Sequence, residues 1–297
     1  MLEFMIECNY PYSFPKTTKR LRYFEKSMYV YQDGMFTRTL RGKKGPLVVS
    51  VSESRTPSVL LVKVEGDLAE GEEEQLKATM RHMFSTEVDL TPFYRQWQED
   101  SLMGRVVRER EGMHIVLDPT VYECLIKTIV GQQLNISFAA TLLKRLIQLA
   151  GEAVEFQGGT LPVFPSPEQV ARLNYEDLQQ LQFNRRKAEY IIDISRQVAE
   201  GKLDLDALSS LSDEQIAETL LPLRGVGRWT VECVMLFGLG RPDLLPAADI
   251  GLRNAVRRVY GLDEQPSEQE VRRIGEAWAP YRSYATFYLW DTLSQHG

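Results

Sequence analysis

Residues 221–250 read LPLRGVGRWTVECVMLFGLGRPDLLPAADI, and the division of this stretch decides the fold. Asp213 to Leu221, just ahead of it, has the spacing of a short amphipathic helix. Leu223-Arg224-Gly225-Val226-Gly227 then reads as a tight turn and Arg228 to Phe237 as a second helix. Gly225 and Gly227 bracket an apolar Val226, so positive φ is expected twice, with the valine plugging between the helices. The second helix then begins with unpartnered amides at the positive end of its dipole, which suits an anion such as a phosphate. Beyond it, a proline-bearing loop from Arg241 to Ala248 delivers a single carboxylate, Asp249. An anion grip and an acid are expected close together.

Working outward, a chain of 297 residues with 43% hydrophobic content can bury a real core. No apolar run reaches the roughly 18 residues of a membrane span, and the first residues lack the basic-then-apolar pattern of a signal peptide. A cytoplasmic protein that makes no use of a membrane is expected. Cys8, Cys124 and Cys233 are too few and too scattered for a disulfide framework, a zinc site or an iron–sulfur cluster, so no metal is expected. The formal net charge of −6 opposes a nucleic-acid partner. Its distribution softens the objection. Residues 65–74 hold six carboxylates, whereas residues 221–260 hold six arginines against Glu232, Asp243 and Asp249.

Residues 1–88 read as an α+β sheet domain: a strand over Leu2 to Cys8, a hairpin from Met28 to Arg38 turning on Asp33-Gly34, a strand pair Leu47–Ser52 and Val59–Val64, and a covering helix from about Leu68 to Phe84. Nothing in this unit has a catalytic signature. From Asp89 on, strands all but vanish and capped helices succeed one another, so residues 89–297 are expected to be all-α. Asp118 before Pro119, Ser166 with Gln169, Ser212 with Gln215 and Ser267 with Glu270 are the helix starts. Two apolar stripes, Val121 to Val130 and Ile136 to Ile147, flank Gly131-Gln132-Gln133-Leu134-Asn135, where the pattern breaks. Arg185, Arg186 and Lys187 open another helix against its dipole; either an outside phosphate offsets them or they form a solvated cluster.

The LRGVGRWTVE hairpin, the spacing from Trp229 to Asp249, Gly131-Gln132-Gln133 upstream and Arg282-Ser283-Tyr284-Ala285 downstream resemble the helix-hairpin-helix DNA glycosylases, most closely the bacterial 3-methyladenine DNA glycosylase II group. The resemblance runs well from Asp118 to Trp290 and loosely over the first ninety residues. It implies a body of two helical subdomains, residues 118–230 with the hairpin near 221–230, and residues 89–117 together with 231–297. It also implies a monomer acting on duplex DNA, with phosphate contacts from Arg224, Gly225, Gly227, Arg228 and Thr230. The turn holding Gln133 and Leu134 becomes a wedge that fills the gap left by an extruded base. Gln133 takes the wedge position by alignment, while Leu134 is chemically the better wedge. Trp229, Tyr281 and Cys233 would line the base pocket. Some relatives hold a monovalent cation between hairpin carbonyls and DNA; no other cofactor is expected.

Two readings of Asp249 stand side by side. Asp is a favoured N-cap, and Ile250 to Tyr260 is an amphipathic helix. The resemblance makes Asp249 the catalytic carboxylate, stabilising an oxocarbenium-like sugar and orienting water. An alkylated base is already cationic and leaves without a second acid. The lyase branch attacks through a lysine in the turn region, where this chain has Arg228 and Trp229, so a monofunctional hydrolase of alkylated bases such as 3-methyladenine and 7-methylguanine is expected. The alternative is a non-catalytic DNA-binding or lesion-sensing protein.

Overall fold

The computed structural model describes residues 1–24, 28–100 and 102–293. Strand β1 (Leu2–Glu7) is followed by two short helices, α1 (Phe14–Thr17) and α2 (Lys19–Phe24), and by β2 (Val30–Gln32), β3 (Met35–Gly42), β4 (Gly45–Glu53) and β5 (Val59–Glu65). The strands form one antiparallel sheet in the order β1-β5-β4-β3-β2. The β2–β3 turn falls on Asp33 and Gly34 as expected, with φ of 52° and 79°, the left-handed pair whose twist matches that of the strands.

Helix α3 (Glu72–Met83) covers a face of this sheet with Leu76, Met80 and Met83. It starts one turn later than the apolar pattern suggests. The Glu72 carboxylate accepts the amides of Lys43 and Ala69, each at 2.7 Å, and holds the preceding chain in a loop. Those two bonds keep the carboxyl below its ordinary range.

The remainder is helical: α4 (Thr91–Gln96), α5 (Met103–Glu109), α6 (Val121–Gly131), α7 (Ile136–Ala150), then α8 (Pro167–Ala171), α9 (Tyr175–Gln180), α10 (Arg185–Ala199), α11 (Asp213–Leu220), α12 (Arg228–Cys233), α13 (Ile250–Tyr260), α14 (Glu268–Gly275) and α15 (Arg282–Leu293). The capping boxes at Ser166, Ser212 and Ser267 form as read. Asp118 does not cap α6. Thr120 does, accepting the Glu123 amide at 3.1 Å, and the Asp118 carboxylate pairs with Lys127 at 2.6 Å instead. Pro119 takes no part in the helix, so the cap falls to the nearest hydroxyl after it.

One strand pair interrupts the helices, β6 (Glu152–Phe156) with β7 (Gly159–Val163), turning on Gln157 and Gly158. It packs against the first sheet: Thr39 Oγ1 on β3 donates to the Pro162 carbonyl at 2.6 Å. Deeper in the same seam, Arg38 of β3 reaches both Glu123 carboxylate oxygens on α6, at 2.8 and 3.1 Å, and donates to the Tyr29 hydroxyl at 2.8 Å. Sheet and helical body thus share one continuous core.

Candidate active site at the hairpin

Helices α11 and α12 enclose the turn. Val226 is buried between them. Gly225 has φ +84°, and a Cβ there would lie 2.1–2.6 Å from three ring carbons of Tyr190. Gly227 corrects the expectation of a second positive φ: its φ of −106° and ψ of 177° are extended, because it serves as N-cap, its carbonyl accepting the Val231 amide at 3.1 Å. A Cβ at Gly227 would meet nothing within 4 Å. Open space therefore lies around Gly227 at the start of α12.

The other predicted grip residues divide. Arg228 and Arg224 are both exposed, and Arg224 is also held by Glu189 at 3.0 Å with its guanidinium 5.7 Å over the Tyr190 ring. Thr230 is buried, and its hydroxyl accepts Gln132 Nε2 at 2.9 Å, so its side chain faces inward rather than toward a surface phosphate. Gln132 Nε2 also donates to the Gly225 carbonyl at 2.7 Å, which ties the α6–α7 turn to the hairpin. Gln133 stands exposed at φ 56°, Leu134 is half-buried, and Asn135 caps α7 by accepting the Phe138 amide at 2.9 Å. Of the basic helix start, Lys187 is neither solvated nor outward. Its ammonium is buried and donates to the Val130 and Gln132 carbonyls, each at 2.7 Å, bracing the same turn. Burial pushes its pKa down.

Past Cys233 the helix widens into a π turn over Val234–Gly238, an irregularity common at functional sites. Beside it lies a cavity of about 670 Å³ that brings together Trp229, Cys233, Leu134 and Asp249. Burial pushes the Cys233 thiol up to about 12, against the lowering influence of Arg20, so it forms a neutral wall rather than a nucleophile. Asp249 is the N-cap of α13: Oδ1 accepts the Leu252 amide at 2.7 Å and the Trp290 indole N–H at 2.9 Å. The described residues give Oδ2 no hydrogen bond. Capping and a fixed, cavity-facing carboxylate are thus satisfied by one geometry.

Tyr281 is not brought to this cavity. It packs on Phe93, ring centroids 5.7 Å apart, at the start of α15. The cavity wall is Trp290, nine residues on and about 13 Å further along that helix. Trp290 stacks on Phe237 at 6.1 Å, and Arg20 of α2 lies 4.6 Å over Phe237. The N-terminal unit therefore contributes cavity wall through Thr17, Arg20, Leu21 and Tyr29, although no sequence motif marks it. Lys127 also lines the cavity. Its position on the apolar α6 was a signal that could have been read, since a lone cation on a buried face needs a partner.

Hairpin, aromatic cavity and the carboxylate of Asp249, set beside the ion-paired Asp118 and Asp291 that also line the cavity, together define a helix-hairpin-helix protein with an acid beside its hairpin. Sequence comparison gives the family: the chain belongs to the HhH-GPD superfamily of base excision DNA repair proteins, whose pattern matches residues 126–280. It is 42% identical to Bacillus subtilis YfjP, a candidate DNA-3-methyladenine glycosylase, over 230 residues that make up 77% of each chain. A second protein of that organism, named DNA-3-methyladenine glycosylase, is 31% identical over 268 residues, 90% of this chain and 88% of its own. Among solved structures, the 3-methyladenine DNA glycosylase of Archaeoglobus fulgidus superposes with a TM-score of 0.85 at 24% identity, over 99% of this chain and 100% of its own, a likeness of fold.

Proposed function

We propose that this protein is a monofunctional DNA glycosylase of the 3-methyladenine glycosylase II type. It flips alkylated bases such as 3-methyladenine and 7-methylguanine out of duplex DNA and hydrolyses the N-glycosidic bond, leaving an abasic site. One observation carries the reading: Asp249, oriented by two donors, opens onto a cavity walled by Trp229 at the mouth of the hairpin. The phosphates would rest on the amides after Gly227 and on Arg228, with Gln133 or Leu134 filling the vacated stack. The body divides in this reading into residues 118–230 and residues 89–117 with 231–297, which flank the cavity.

The π face of Trp229 suits an electron-poor base. Because an alkylated purine is already cationic, its departure needs no general acid; Asp249 stabilises the sugar's developing positive charge and orients the attacking water. Two lysines, Lys16 and Lys127, are among the described residues that line the cavity, and the Lys16 ammonium is engaged by the Glu111 carbonyl at 2.9 Å. Arg228 and Trp229 stand where a lyase lysine would, and the ammonium of Lys127 is engaged by Asp118 at 2.6 Å. A monovalent cation at the hairpin would share the Gly225 carbonyl with Gln132, which the second lone pair allows. The protein would act as a monomer in the cytoplasm; among the described residues no helix is long and apolar enough to cross a membrane.

A non-catalytic lesion sensor would equally use Asp249 as a cap. Base release from randomly methylated DNA decides between the two. Asp249→Asn should fold normally, melt within a few degrees of wild type, since Asn caps about as well as Asp, and bind abasic-site DNA. It should release almost no 3-methyladenine, because the charge it removes acts chiefly in the transition state. Excision by this variant near the wild-type rate would refute the mechanism.

A further inference from the structure

We infer that Trp290 is a positioning residue for the reaction, holding the Asp249 carboxylate in the single orientation that leaves Oδ2 for the sugar. The inference rests on the glycosylase reading above. A carboxylate held only by its own cap amide can turn about Cβ–Cγ, a torsion with broad wells. Here a second donor arrives from another helix, the Trp290 indole N–H of α15, on the same Oδ1 at 2.9 Å. The indole is itself immobilised. It stacks on Phe237 with an interplanar angle of 18°, and the Arg20 guanidinium lies 5.8 Å over it from the N-terminal unit.

An independent observation supports the bond from the opposite side. Gly251 is in the first turn of α13, where its backbone is helical and any residue would serve, and where glycine is a poor helix former. A Cβ there would stand 3.0 Å from Asp249 Oδ1 and 3.4 Å from Trp290 Nε1. The missing side chain leaves room for the contact between indole and carboxylate. A fixed carboxylate needs no reorganisation as charge develops on the sugar, so its loss should appear in the chemical step and not in DNA binding.

The test uses the full chain and single-turnover base release from methylated duplex at saturating enzyme, beside affinity for abasic-site DNA and the melting temperature. Trp290→Phe keeps the ring and deletes the donor; Gly251→Ala crowds the bond without lining the cavity. Each should slow release about tenfold or more while affinity stays within about twofold, the size expected for one charge-assisted hydrogen bond. If Trp290→Phe lowers the melting temperature too far to be read, Gly251→Ala decides. Wild-type rates in either variant overturn the inference, since a slow Trp290→Phe beside a normal Gly251→Ala would make the indole only a cavity wall. A wild-type protein that releases no base at all overturns the glycosylase reading and this one with it.

Discussion

Gly225 and Gly227, two residues apart, answer to different constraints. Gly225 needs a left-handed backbone and has a tyrosine ring where a side chain would go, so its requirement is internal to the fold. Gly225→Ala should cost on the order of 2 kcal/mol or more in urea unfolding, from backbone strain and collision with Tyr190. Gly227 is extended and faces empty space, so its small size matters only to something approaching from outside. Gly227→Ala should melt within a few degrees of wild type yet bind damaged and undamaged duplex more weakly, with base preference unchanged, because phosphate contacts position without specifying. Lost selectivity with intact affinity would contradict the grip.

At the level of elements, the turn from α6 to α7 carries two glutamines with opposite assignments. Gln132 points in and braces the hairpin through Gly225 and Thr230; Gln133 stands out at the tip. Gln133→Ala and Leu134→Ala should slow excision from duplex more than from single-stranded DNA, since a wedge matters only where there is a stack to fill. Gln132→Ala should behave differently, loosening the hairpin and weakening binding to both duplexes as Gly227→Ala does. Equal slowing of Gln133→Ala on duplex and single strand would reduce the turn to a connection between helices.

For the molecule as a whole, the decisive contact is the seam between sheet and helical body. Arg38 and Glu123 are both almost wholly buried, and removing one leaves the other charge stranded. Glu123→Ala should therefore cost about 3–5 kcal/mol in chemical denaturation. The exposed pair Arg272–Glu268 has the same 2.6–2.8 Å contact, yet Glu268→Ala should cost less than about 1 kcal/mol. Comparable losses in the two variants would mean the seam is not holding the units together. The seam also bears on the site, since α2 on the N-terminal side supplies Arg20 above the aromatic wall.

What the amino-acid sequence determined by itself is what acts over a few residues. Serine capping boxes, the Asp33-Gly34 turn, the apolar stripe of α6, the reversal at Gly225 and the delivery of Asp249 to a helix start are all written in local chemistry, and the family motifs add the hairpin and its carboxylate. Even locally, small competitions were invisible: Thr120 outcompetes Asp118 for a cap, and Gly227 needs no positive φ once it becomes one. The cavity wall was decided by tertiary structure alone. Trp290 meets Asp249 across 41 residues, and α15 is buried on nearly every side from Ser283 to Leu289, so no amphipathic stripe marks the residue that faces the site. Tyr281 and Trp290 are equally plausible as aromatic walls in one dimension, and only the packing of α15 against α13 and α5 brings the second to the carboxylate and leaves the first against Phe93.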